Sequence, residues 1–505
     1  MNGAPSLEFA AIAPVAFTSI GAVVVMLGEV LLSRRRTLLG RLVTSYWIGT
    51  VLAIVAAAFL ALAVYAAGAA YWSGASLAFQ PGADPALRLD RFSAFATALV
   101  AVAAFLICWL SIAYLAELRI NHGEYYALVL LSTAGMMLLV SATDLIVLFL
   151  GLELMSIPIY VLAGFDRRKL RSNESAFKYF LVGSFASALL LYGMALVYGV
   201  SGAIDFAAIR AAFPTGNPLG LVGMGLVVVG FAFKVSSVPF HQWTPDVYEG
   251  SPTSVTAFMA ITVKVAAFAA LLRVALVAFG SAIGELTSLF WGLALASVIV
   301  GSVMAVIQTN LKRLLAYSSI AHAGYLLIGM ATGSAEGYTA VLFYLLAYVF
   351  MNLGAFGVLV ALASRGRDCE QLEDLAGLAR TRPGMAALLT LFMLSLAGIP
   401  GTVGFVGKFL IFKAAVGAGL IGLTVAGVLA SVVSIYYYLR IPVVMYMSEP
   451  GDAALRQEAS TGELLVLAVC AAVVLGLGLF PSHAPGIFSG VAALEWARQS
   501  AALLF

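Results

Sequence analysis

Two stretches decide the fold: Phe233-Lys234-Val235-Ser236-Ser237-Val238-Pro239-Phe240-His241 and Ala397-Gly398-Ile399-Pro400-Gly401-Thr402-Val403-Gly404. Each places a proline among small and polar residues inside an apolar run long enough to cross a bilayer. Proline removes a backbone donor, and the carbonyls it frees need protein or water partners at membrane depth, so both runs are expected to break. One such break alone reads as a packed kink. Recurrence changes the reading. Thr143-Asp144-Leu145 matches Thr309-Asn310-Leu311, Tyr160-Val161-Leu162-Ala163-Gly164 matches Tyr325-Leu326-Leu327-Ile328-Gly329, and Tyr179 matches Tyr344. The offset is 166 residues for the first match and 165 for the others, and Pro239 meets Pro400 after a small gap. This predicts two five-helix repeats, 125–279 and 286–447, each with one broken helix. An odd number of crossings makes the second copy enter from the opposite face, and inverted repeats around broken helices place ion sites near the midplane.

The rest of the chain agrees. Of its 505 residues 63% are hydrophobic and 10% charged, with mean hydropathy +1.05, against roughly 45–50% and 25% in a soluble domain. The bilayer is therefore its solvent. A hydrocarbon core of about 30 Å takes roughly 20 apolar residues per helix. We read spans near 9–32, 42–67, 92–116, 125–142, 144–164, 175–200, 218–237, 254–279, 286–308, 313–332, 337–363, 385–416, 419–447 and 462–480. The expected fold is an all-α polytopic membrane protein of about fourteen helices, with three in 1–124 and the last, plus a tail, in 448–505. The loops of one side then hold Arg34, Arg35, Arg36, Arg41, Arg119, Arg167, Arg168, Lys169, Arg171, Lys312, Arg313, Arg365, Arg367, Arg380, Arg382 and Arg456, and those of the other only Arg88, Arg91, Arg210 and Arg498. The positive-inside bias makes the first side cytoplasmic and puts both termini on the periplasmic side.

Several functions are excluded. A net charge of +3 without a basic block interleaved with aromatics is no nucleic-acid surface. Cys108, Cys369 and Cys470 lie too far apart for a disulfide framework, an iron–sulfur site or c-type haem. No histidine and acid show metal-ligand spacing, and His122 and His483 read as loop residues. The first apolar run follows Glu8 and precedes Arg34, the reverse of a cleavable signal peptide, and is expected to stay as the first membrane helix.

What remains are charges at membrane depth: Lys178, Lys234, Lys264, Arg273, Lys408, Lys413 and Arg440. Each costs about 2.5–3.5 kcal/mol at a helix centre. Arg273, Lys413 and Arg440 lie near span ends, where they are expected to snorkel or pair. Lys234, Lys264 and Lys408 sit deeper and are read as functional. Glu153 is the one clearly intramembrane acid, and Lys178 opens the next span. Desolvation lowers a lysine's proton affinity and a nearby carboxylate raises it, so forming or breaking such a pair loads or unloads a proton. His241 and His322, as imidazoles titrating near pH 6.5, suit a relay between the lysines. Ser236, Ser237, Thr262, Ser318, Ser319 and Thr402 could hold water between them. Lys234 and Lys408 are expected to serve opposite faces, with Lys264 and His322 bridging the midplane.

The motifs Gly151-Leu152-Glu153-Leu154-Met155-Ser156-Ile157-Pro158, Phe177-Lys178-Tyr179-Phe180, Pro239-Phe240-His241-Gln242-Trp243-Thr244-Pro245-Asp246-Val247-Tyr248, Leu311-Lys312-Arg313-Leu314-Leu315-Ala316-Tyr317-Ser318-Ser319 and Gly404-Phe405-Val406-Gly407-Lys408-Phe409 carry a resemblance. The chain resembles the antiporter-like membrane subunits of respiratory complex I, the proton-pumping NADH:quinone oxidoreductase. The resemblance implies that Glu153 is the coupling glutamate, that Lys178 lies in the family's helix-six pattern, and that Lys234, Lys264 and Lys408 are the lysines of helices seven, eight and twelve. His322 matches a helix-ten position that relatives fill with various polar groups. A lysine at position 408 fits the N-type members, since the M-type would carry glutamate, and the lack of a long C-terminal helix points away from the L-type. The resemblance also implies that FMN, iron–sulfur clusters and quinone belong to partner subunits and that no cofactor sits on this chain. Its neighbours would be a small quinone-side membrane subunit and an M-type subunit. A subunit of a multi-subunit sodium/proton antiporter is the competing reading.

Overall fold

The computed structural model describes residues 8–39, 44–74, 76–79, 85–214, 216–364, 367–450, 458–479 and 490–504. The expectations for Arg34, Arg35, Arg36, Arg41, Arg365, Arg456 and His483 concern side chains outside the described residues. Among the described residues thirteen helices are long and apolar enough to cross a membrane. A further crossing is made of two half-helices, Pro383–Ala397 and Val403–Gly417. The other break separates Pro218–Val235 from Trp243–Gly250. Each first half ends in a left-handed residue, Ser236 (φ 62°) and Gly398 (φ 84°). Glycine takes that conformation freely and serine does so under strain, which the surrounding packing must offset.

Small elements escaped the pattern. A two-stranded hairpin, Leu77–Phe79 with Leu87–Leu89, is too short to show alternation. Helices Phe206–Ala212 and Gly490–Ala501 cross nothing. The Thr253–Ala278 span contains two π-helical turns, Met259–Val263 and Val274–Ala278, the first ending at Lys264.

The repeats recur in hydrogen bonds. Asp144 accepts from Val147 N at the start of the Leu145–Ala163 helix, while Leu145 N donates to Ile204 O and Phe206 N to Thr143 O. Asn310 accepts from Arg313 N at the start of the Leu311–Ala331 helix, while Leu311 N donates to Glu370 O and Leu372 N to Thr309 O. The bridged residues, Asp144 with Asp205 and Asn310 with Gln371, are 61 apart in both copies (205 − 144 and 371 − 310). The first bridge lies beside the hairpin, since Thr143 N donates to Ala86 O. The second lies at the other end of the bundle, where Arg313 pairs with Asp246 and Glu249. The copies are therefore inverted. The described Lys and Arg side chains of the loops gather on this second face, hereafter the basic face, and Arg88, Arg91, Arg210 and Arg498 on the hairpin face.

Three helices form the centre: Thr253–Ala278 and Leu311–Ala331 are buried along their length, and Ala335–Leu362 almost so. The first starts without a side-chain cap of its own. Tyr114 takes that role, its hydroxyl accepting from Thr253 N (2.7 Å) and donating to Asp368, which also accepts from Thr253 Oγ1 (3.0 Å) and pairs with Lys169 (3.1 Å). Burial opposes ionisation of Asp368, but Lys312 and Lys169 outweigh it and hold the carboxyl below the usual carboxylate range. Because the folded-state value is depressed, this contribution is present above the unfolded value, about 3.9, and is lost as pH falls through the folded one. Asp368→Asn should cost about 1.5–3 kcal/mol, the range for charged hydrogen bonds. Thermal unfolding in detergent should show the same gap between variant and wild type from pH 5 to 8 and a shrinking one in stronger acid. A gap of unchanged size in strong acid would rule the carboxylate out.

Candidate functional site

Lys234 occupies the last turn of its half-helix, at the end where backbone carbonyls favour a cation. Its Nζ donates to Ser156 Oγ (2.7 Å) and Tyr160 OH (3.1 Å), both on the Leu145–Ala163 helix. The rings of Tyr160, Phe233 and Tyr179 stand 5.3, 5.5 and 5.8 Å from it. Trp243, opening the next half, stacks on Tyr179 at 4.3 Å and donates to Phe233 O (3.1 Å), a carbonyl freed by the break.

Lys408 follows its break but reaches back across it. Its Nζ donates to Ala397 O, the last carbonyl of the preceding half-helix, and to Ser431 Oγ, both at 2.9 Å, and lies 4.9 Å from the ring of Tyr325. The two lysines thus occupy different sequence positions relative to the breaks and the same physical one, the carbonyl end of a half-helix.

Between them, Lys264 Nζ donates to Ser319 O and lies 5.8 Å from the Tyr348 ring. Ser319 Oγ bonds Tyr348 OH (2.8 Å). One turn on, His322 places Nδ1 2.6 Å from Tyr344 OH and Nε2 3.0 Å from Tyr438 OH, and Tyr438 also meets Ser318. A neutral imidazole donates through one nitrogen and accepts through the other, so an imidazole held between two hydroxyls is able to relay a proton by changing tautomer.

All three lysines are buried, and among the described residues none has a carboxylate within 4.0 Å. The remaining buried or half-buried cations are paired or anchored. Arg273 pairs with Asp90 at 2.7 Å, Lys312 with Glu370 at 2.8 Å, and Arg440 donates to Val306 O and Gln308 O. Lys413 is exposed near the hairpin face.

One sequence expectation needs correction. Lys178 does not pair with Glu153. It sits at the basic-face end of the Leu170–Ser201 helix, 42% exposed, and pairs with Glu174 (2.7 Å) and Asp246 (2.9 Å). That helix extends beyond the predicted span, so a residue placed inside by hydropathy lies at its wetted end. Glu153 shares a stripe with Ile146, Leu150, Ile157 and Val161, all exposed, and its Oε1 is buried without a partner. His241 lies half-buried in the first break with Nδ1 unbonded. Glu29, His122 and Glu124 bring ligand atoms within 4.8 Å of one another, a juxtaposition of two helices that spacing cannot show. Tyr160, Tyr325, Tyr344, Tyr348, Tyr438 and Ser156 went unnoticed as site residues, although three of these tyrosines stood out as repeat matches.

Residues 142–434 match the family described as NADH:quinone oxidoreductase/Mrp antiporter, transmembrane. Subunit N of NADH-quinone oxidoreductase from Trichlorobacter lovleyi is 49% identical over 399 residues, 78% of this chain and 82% of that protein. The chain belongs to the NADH-quinone oxidoreductase subunit N family. The subunit N of Sorangium cellulosum numbered 1 extends the likeness to 500 residues at 45% identity, 95% of this chain and 97% of its own. Solved structures bracket this subunit N family member. A chain of respiratory complex I from Thermus thermophilus with bound aureothin superposes with TM-score 0.75 at 36% identity, covering 91% of this chain and 97% of that one. A chain of the Mrp complex from Dietzia sp. reaches TM-score 0.83 at 25% identity, covering 98% and 97%. Antiporter and oxidoreductase relatives share the fold, while the higher identities lie with the oxidoreductase.

Proposed function

We propose that this chain is the membrane subunit of an NADH-quinone oxidoreductase that moves protons along Glu153, Lys234, Lys264, His322 and Lys408, while flavin, iron–sulfur clusters and quinone react in partner subunits. The observation that carries the reading is the set of three buried lysines held, among the described residues, by hydroxyls, carbonyls and rings. A buried ammonium paired with a carboxylate is locked, whereas one held by neutral groups can release its proton into the low-dielectric interior. The repeats 125–279 and 286–447 serve as opposite half-channels, with 1–124 and 448–505 packed around them. Lys178 and its acids stand at the basic-face mouth, and His241 in the wetted break. The basic face is cytoplasmic, and the hairpin face and both termini are periplasmic, in a bacterial inner membrane.

A carboxylate at membrane depth is too costly to leave against lipid, so a neighbouring subunit covers the Glu153 stripe. The small quinone-side membrane subunit fills that place, with an M-type subunit on the far side. Through Ser156, one turn away on the same helix, a change of charge at Glu153 is felt at Lys234.

Glu153→Gln keeps the shape and removes the charge. It should cut NADH-driven proton uptake in membrane vesicles severalfold while native gels still show the whole complex. Wild-type pumping in that assembled variant would sink the switch, and co-purification with small membrane subunits lacking flavin would favour an antiporter instead.

A further inference from the structure

Tyr160 and Tyr325 occupy the same position of the two repeats, 165 residues apart, and each faces the lysine of its own broken helix. We propose that these tyrosines are positioning residues that hold the ammonium forms of Lys234 and Lys408 in place of a carboxylate. The inference rests on the relay reading above and adds the residues that set how firmly each proton is held.

The two sites are built alike. Lys234 has Tyr160 and Ser156, and Lys408 has Tyr325 and Ser431. The Tyr325 ring lies within the roughly 6 Å over which an aromatic face attracts a cation, whereas Tyr160 meets Lys234 through its hydroxyl, with the ammonium near the ring plane. Each is also fixed edge-on by a neighbour, Tyr160 by Tyr179 (4.8 Å, 81°) and Tyr325 by Phe412 (6.0 Å, 88°). Neither a ring face nor a phenol hydroxyl carries a net charge, so each favours the ammonium without trapping the proton. Other titratable groups on elements packed around Lys234 include Glu153, Lys178, Tyr179, His241, Asp246 and Lys264. Around Lys408 they include His322, Tyr344, Tyr348, Lys413, Tyr438 and Arg440. Among the described residues none of these hydrogen-bonds either ammonium. The sites differ in one respect: the Tyr160 hydroxyl accepts from Lys234 (3.1 Å), whereas Tyr325 offers Lys408 its ring alone.

The test is proton uptake per NADH oxidised, measured in vesicles carrying the intact complex between pH 6 and 9. Removing a ring weakens the hold on the proton, so in Tyr160→Leu and Tyr325→Leu the alkaline limb should move down by about one pH unit, about tenfold in proton affinity. A packing role would lower the rate at every pH without moving the limb. Phenylalanine variants decide the matter if the leucine variants do not assemble: Tyr160→Phe, which removes the hydroxyl, should shift the limb and Tyr325→Phe should leave it in place. Limbs that stay put in all four, or move equally in both phenylalanine variants, overturn the tyrosine assignment. Lys234→Met in the same assay separates the two ideas, because wild-type uptake there would overturn the relay itself.

Discussion

Replacing Lys264 with methionine is expected to stop quinone-linked proton uptake in a complex that still assembles. Methionine keeps the length and apolar body of the side chain and removes only the amine. Among the described residues Lys264 has no carboxylate within 4.0 Å, so the change strands no buried charge, and Ser319 O remains bonded within its own helix. The fold therefore has little reason to fail. Transport does, because Lys264 is the titratable group that the central Thr253–Ala278 span contributes between Lys234 and the His322 cluster. Uptake should fall by at least tenfold, a barrier raised by about 1.4 kcal/mol or more. Lys413→Met is the control: that lysine is exposed near the hairpin face, and uptake should stay near wild type. Equal effects of the two substitutions would show that burial does not select the working amines.

Gly404→Val should have the largest effect on assembly. At the second break the start of one half-helix presses on the end of the other, and a Cβ at Gly404 would lie 1.8 Å from Ser395 O and 2.8 Å from Met351 Sδ. The atom struck is backbone, so no side-chain rotation relieves it. Overpacking of a core costs about 1–3 kcal/mol, and here the halves must also separate, which breaks the contact of Lys408 with Ala397 O across the break. Native gels should show little intact complex. Gly422, where a Cβ would meet nothing within 4 Å, provides the comparison, and Gly422→Val should assemble normally. Normal assembly of both variants would mean that the two halves are not in the close contact described.

Much of the architecture is legible in the amino-acid sequence alone. Length and hydropathy set the number of crossings, because backbone groups in lipid must be satisfied within each helix and roughly 20 apolar residues are needed to span. The pairs Thr143 with Thr309 and Tyr160 with Tyr325 disclose the repeat, and the odd number of crossings between copies discloses its inversion. Pro239 and Pro400 mark the breaks, since a missing donor is local chemistry. Depth along a helix is less legible. Lys178 looks interior because hydropathy does not show where a long helix leaves the bilayer, and it lies instead with Asp246, 68 residues away.

Partnership is not legible. Seven lysines and arginines stand in apolar runs, and nothing local distinguishes Arg273, neutralised by Asp90 from 183 residues away, from Lys264, which has no acid beside it among the described residues. The same holds for Ser156 and Tyr160 meeting Lys234, and for Tyr438 meeting His322. The sequence by itself determined the bilayer as solvent, the inverted repeats and the list of charges that need explanation, because these follow from composition, period and the demands of each backbone segment. Only the tertiary structure decided which charges are paired and which are held by hydroxyls and rings. That depends on how each helix is rotated about its axis, and rotation is settled by packing among all the helices together.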